Sequence, residues 1–197
     1  MSSLSKPAIW AAVHAERHRL VGDLTGLAPE KFAEPSLCAG WDVHDVLAHL
    51  VDSAGTTRLG FVGQMIRARG DFDRANAHGV ERERREDPAD TLAAFKGFAN
   101  ATHTPPGGLE TRLVEAYVHG EDIRRPLGMR GNYPTAPVLT ALAYQLRTSE
   151  GLGGGRERAQ GLHLVATDTD YTAGDSSGET VEAPAIDLLL RVSGRPT

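Results

Sequence analysis

The sequence predicts a mainly α fold: a four-helix bundle over residues 1–150, then a small α+β appendage of two strands and a helix over 151–197. Three observations lead there. Apolar residues recur at helical spacing in four segments before residue 150, proline and glycine cluster between those segments, and strand-like alternation begins after GLGGG.

The first segment, residues 7–27, carries Ile9, Val13, Leu20, Leu24 and Leu27 among charged positions. Pro7 suits a helix start and the region from Gly26 to Pro29 a stop. The stretch PEKFAEPSLCAGW, residues 29–41, reads as a folded loop. Asp42 then offers a good N-cap, with Asp45 at the spacing of a capping box. From there the pattern runs to about Gly70, weakened by Gly55, Gly60 and Gly63. Residues 71–103 are less regular. Asp90 or Thr91 would cap a helix through Leu92, Phe95 and Phe98, and the ERERRED run before it reads as a solvated face or connector.

THTPPGG, residues 102–108, breaks the chain before LETRLVEAYVHGEDIRRPLG, which reads as helix to about Arg125 and is ended by Pro126 and Gly128. A last bundle helix spans 137–149. GLGGGRERAQ is expected to be a flexible joint. Beyond it GLHLVATD and TVEAPA read as strands that pair around a DSSG turn, and Pro184 opens a short helix, IDLLLRVSG.

Composition narrows the function classes. A net charge of −5 gives no electrostatic reason to expect nucleic acid or an anionic membrane as partner. Cys38 is the single cysteine, so no intramolecular disulfide can staple the fold. The first 20 residues lack a secretory pattern, and no window approaches the roughly 18 apolar residues of a membrane span. A reducing cytoplasm is the expected location. Only Lys6, Lys31 and Lys96 among the 21 basic residues are lysine, a skew that fits a GC-rich genome.

The chemistry-bearing constellation lies on two helices. Glu115 and His119 are an i,i+4 pair that projects from one face, with Arg112 and Asp122 near the same side. Such a pair is expensive beside apolar surface unless it is paired or bound. His49, at the edge of the apolar stripe of the second helix, completes a His–His–carboxylate set if the two helices face each other. Three such ligands with a fourth position open is the usual arrangement of catalytic zinc, and bundle cores commonly build metal sites this way. Asp45 and Asp122, each a turn from a histidine, are candidates to accept the second imidazole N–H.

SLCAGWDVHDVLAHL (36–50) and EAYVHGEDIRRPLG (115–128), in this order, resemble the mycothiol-dependent maleylpyruvate isomerase family of the DinB-like metal-binding four-helix bundles. GLHLVATDTDY and LLLRVSGR look like the reduced C-terminal appendage of many actinobacterial members. The resemblance implies that His49, Glu115 and His119 ligate a divalent metal, zinc by preference for this N/O set, and that a low-molecular-weight thiol such as mycothiol acts at it. It implies an enzyme that activates the thiol for transfer or isomerisation, with arginines holding an anionic small-molecule substrate. Arg82, Arg84 and Arg195 are the candidates. The appendage is smaller than the full domain of the namesake enzyme, which leaves the substrate open.

Two other readings keep the same residues. A metal-bound water would make a hydrolase, and a closed fourth position would make a non-catalytic metal- or ligand-binding module. The chain would work as a monomer or a homodimer. Cys38 is expected to be a packing residue, and Trp41 to pack at the start of the second helix. His44 is expected to be exposed, Arg124 and Arg125 to contact substrate or complement the helix end, and Asp168 and Asp170 to serve turn chemistry.

Overall fold

A computed structural model describes residues 4–196. Its α-helices are α1 (Lys6–Leu24), α2 (Val43–Gly55), α3 (Arg58–Arg67), α4 (Phe72–Glu83), α5 (Pro88–Gly97), α6 (Thr111–Arg124), α7 (Thr135–Arg147) and α8 (Ala185–Val192). The strands are β1 (Leu162–Ala166), β2 (Thr172–Gly174) and β3 (Glu179–Ala183). The mainly α class with a small C-terminal α+β portion is therefore the observed one. No described helix is long and apolar enough to cross a membrane.

The chain forms two compact units that do not follow sequence order, and α1 and α6 each contribute to both. One unit comprises residues 13–109 and 119–131; the other comprises residues up to Ala12, 110–118 and everything from Asn132 onward.

In the first unit α2 is the centre, packed against α4, α5 and the 3-10 turn Pro29–Ala33. Its start follows the sequence closely. The Asp45 N–H donates to Asp42 Oδ1 at 2.7 Å and the Asp42 N–H donates back to Asp45 Oδ2 at 3.1 Å, a reciprocal capping box. Val43, Val46, Leu47, Leu50 and Val51 then meet Leu20, Val21 and Leu24 of α1, Phe95 of α5 and Ile123 of α6 in one buried cluster. Each such side chain contributes about 1.5–3 kcal/mol by leaving water. Cys38 and Trp41 pack against the edge of this cluster, as packing residues should.

The second helix does not run on to Gly70. It stops at Gly55, and Thr57 caps a separate α3 by accepting from the Gly60 N–H at 3.1 Å. A Cβ on Gly55 would lie 3.2 Å from the Phe98 ring, so a glycine there suits the close approach at the end of α5. The ERERRED run, expected as a solvated helix face or a connector, begins inside α4, which is capped by Asp71, and α5 is capped by Asp87 ahead of Pro88 rather than by Asp90 or Thr91. α3 has no buried residue, and Leu59 and Ile66 stand 86% and 74% exposed.

In the second unit α8 packs against α7 and against the sheet. The sheet has three strands, not two, in the order β2-β1-β3. β1 is parallel to β3, with Leu164 opposite Val181, and antiparallel to the short β2, with Leu164 opposite Ala173. Three residues of mixed polarity give β2 too weak a period to read from sequence. Leu188, Leu189, Leu190 and Val192 are buried on α8, and Asp168 Oδ1 accepts the Ala185 N–H at 2.9 Å at its start.

GLGGG is not a flexible joint. The Gly154 N–H donates to Ser149 O at 2.8 Å and the Gly155 N–H to Gln145 O at 3.0 Å. A Cβ on Gly154 would lie 1.9 Å from Thr148 O, and one on Gly155 2.0 Å from Val192 O. The glycines are there because backbone passes against backbone.

Candidate metal centre

α2 and the second half of α6 bring two of the three expected ligands together. The rings of His49 and His119 meet edge to face with centroids 4.8 Å apart, and the Trp41 ring centroid lies 5.2 Å from that of His49. The loop that carries Trp41 is tied to α6 by the Leu37 N–H, which donates to Asp122 O at 3.2 Å.

His119 is oriented from behind. Its Nδ1 lies 2.9 Å from Oδ2 of Asp122, a residue wholly buried in the fold. A carboxylate only accepts, so Nδ1 carries the proton and the lone pair sits on Nε2. This carboxylate–imidazole arrangement is the one that holds metal-binding histidines in other proteins. Asp122 thus makes the contact with His119 that the helical spacing allows. Asp45 is engaged elsewhere, in the capping box and with Arg84 Nη1 at 2.8 Å.

Glu115 lies one turn before His119 on α6. Its Oε2 is 2.8 Å from Arg112 Nη2, and both side chains are largely buried. Among the described residues no group of three or more His, Cys, Asp and Glu side chains is already gathered as a metal-binding cluster. The donor set itself, two imidazoles and a carboxylate, fits a divalent ion of the zinc type.

Each of the three expected arginines has a partner of its own. Arg82 Nη2 forms an ion pair with Asp52, whose carboxylate also accepts from Gln64 Nε2 at 3.1 Å. Burial pushes the Asp52 carboxyl above its ordinary range despite the Arg82 charge beside it. Arg84 lies 2.7 Å from Asp42 and 2.8 Å from Asp45. Burial would raise the Asp42 carboxyl, but the hydrogen bonds from Arg84 and the Asp45 N–H, with the Arg84 charge, bring it below its ordinary value. Arg195, in the other unit, donates from Nη1 to Ser193 O at 2.8 Å.

The remaining polar residues of the GEDIRR run serve the fold. Arg124 is buried and pairs with Glu16 and, at 2.7 Å, with Asp23. Arg125 Nε donates to Glu121 at 2.7 Å, while Glu121 also accepts the Gly131 N–H at 2.9 Å and so closes the turn after α6. His44 is buried, not exposed: its Nε2 lies 2.8 Å from Thr91 Oγ1 and its ring packs on Phe32. Position in a first helical turn gave no sign of this, because α5 covers that face from far along the chain.

Comparisons with known proteins bear on the fold. No curated protein sequence matches the chain. Two solved structures share its fold, a crystal structure of the mycothiol-dependent maleylpyruvate isomerase and one of a histidine-to-alanine mutant of that enzyme. Both align with a TM-score of 0.67 over 100% of this chain and 93% of theirs, at 18% and 16% identity. Residues 13–104 match the model of the mycothiol maleylpyruvate isomerase N-terminal domain, a span that contains His49. Residues 13–104 thus resemble that N-terminal domain, and the chain over its full length has the fold of the two solved structures.

Proposed function

We propose that this protein is a divalent-metal enzyme that uses a low-molecular-weight thiol, mycothiol in the first instance, to isomerise or modify a small anionic substrate. The observation that carries the reading is the His49–His119 pair, with His119 aimed through Nδ1 by buried Asp122. That posture presents one imidazole lone pair beside a second ring, which is what a shared cation requires.

In this reading His49, Glu115 and His119 hold the ion. Bound there, a divalent cation supplies a lowered pKa for a coordinated thiol, so that the nucleophile exists at neutral pH. The protein's own residues do the rest. Asp122 holds the His119 tautomer, and Trp41 walls the His49 flank with apolar surface that excludes water. Arg82, Arg84 and Arg195 are proposed to orient the substrate carboxylate. For Arg82 and Arg84 this means exchanging a carboxylate of the chain for one of the substrate, and Arg82, 43% exposed, is the better placed to do so. We further propose a cytoplasmic location and a single ion of zinc.

Elemental analysis of protein purified without chelator or metal-affinity resin tests the centre. About one equivalent of metal in the wild type and its loss in His119→Ala supports it, and thiol-dependent turnover of maleylpyruvate is then measured. A wild type that takes up no zinc on addition removes the metal reading. Turnover without thiol redirects it to a metal-dependent hydrolase.

A further inference from the structure

α6 carries Arg112, Glu115, His119 and Asp122 at intervals of three, four and three residues. At about 100° per residue these four positions fall within an arc of roughly 80°, one straight polar stripe along the helix. The stripe is largely buried: side-chain exposure is 6% and 9% for Arg112 and Glu115, and 16% and 0% for His119 and Asp122. Its order is not arbitrary. The two inner residues are the acid and the base expected to face the ion, and each is held by an outer residue of the complementary kind. Asp122 takes the N–H of His119 at 2.9 Å, and Arg112 takes Oε2 of Glu115 at 2.8 Å.

We propose that Arg112 is a positioning residue of the metal centre, doing for Glu115 what Asp122 does for His119. The inference rests on the metal reading above. A buried glutamate, with three rotatable side-chain bonds, needs a partner that fixes its rotamer and its charge before the ion arrives. A guanidinium does both, because its planar fork sets the direction of the carboxylate as well as neutralising it. A carboxylate has lone pairs enough for an arginine and an ion at once. With Arg112 in place Glu115 meets the ion already aimed, and the arginine's charge draws electron density from the ligand. The centre is left more attractive to an anion in its open position.

A plain structural role makes a different prediction. If Arg112 only neutralises a buried acid, Arg112→Lys is as good as the wild type, because the charge is kept. If it aims Glu115, the lysine loses the fork and falls short. The experiment is cobalt binding to full-length protein stripped of metal, followed by competition with a chromophoric chelator and by visible absorption of the bound ion. Wild type, Arg112→Lys and Arg112→Met are compared. Outer partners of metal ligands typically matter by about 10–100-fold in affinity. Arg112→Met should fall in that range and Arg112→Lys between it and the wild type, both with an altered cobalt spectrum. The spectrum belongs to the loaded, folded molecules, so general destabilisation does not move it. Should Arg112→Met fail to fold, Arg112→Lys carries the test. If the wild type binds cobalt and both variants bind it equally well with the same spectrum, this inference falls and the metal centre stands. If the wild type binds no cobalt, the metal reading falls and takes this one with it.

Discussion

His44 shows how far a single residue's environment can depart from its place in the sequence. Burial, then the nearby Arg84 charge, holds its imidazole below the ordinary 6.5. Between that lowered value and 6.5 the unfolded chain takes up a proton that the folded chain refuses. The contribution to stability is therefore present above 6.5 and lost as pH falls through that window. Urea denaturation at a series of pH values should show stability declining from pH 7 toward 5, and His44→Gln should flatten that part of the profile. Gly79 makes a second test at this scale. A Cβ there would lie 2.3 Å from Asp52 Oδ2. Gly79→Ala should thus displace the Asp52–Arg82 pair and destabilise by about 1–3 kcal/mol, read as a shift in the urea midpoint.

Two contacts that sequence reasoning anticipated share a property. Asp42 with Asp45 and His119 with Asp122 are joined within four positions, and helical spacing alone reveals such partners. His44 with Thr91, Arg82 with Asp52 and Arg84 with Asp42 are joined across 30 to 47 positions, and no local pattern announces them.

Among elements, α2 bears the most and was the most legible, because its cap and its apolar stripe agree. Asp42→Ala removes the cap and one arm of the Arg84 fork together. Loss of the cap alone costs about 1 kcal/mol, and the variant should unfold at lower urea with its α2 amides exchanging faster. α3 was read as the tail of the second helix, and α4 fell in the stretch read as irregular. Glycines interrupt the first and charged residues fill the second, and a cap marks each start, Thr57 and Asp71. Short helices of that kind depend on tertiary support more than on propensity.

For the whole molecule, the chain's order and its compact units are different things. α7 and α8 pack in the same unit although the tail begins between them. A chain ending at Glu150 would uncover part of the apolar face made by Val138, Leu139, Ala141 and Leu142. Such a truncation should be poorly soluble or bind a hydrophobic dye, in contrast to the intact protein. The four-helix outline and the α+β tail were visible in the sequence because period and breakers report them directly. The interleaving of the units was not, because it depends on which surfaces find each other.

The glycine run at 153–155 has a practical bearing. To anyone choosing where to split the chain for fragment complementation, or where to graft a tag, GLGGG is the inviting spot. Its peptide groups are spoken for and its missing side chains are occupied by the carbonyls of Thr148 and Val192. Foreign residues inserted there would wedge the turn apart, whereas the exposed bend at Asp175–Ser177 offers a hinge-free bulge open to solvent. The boundaries between the two compact units fall within α1 and α6 and beside residues 109 and 131, not at this run.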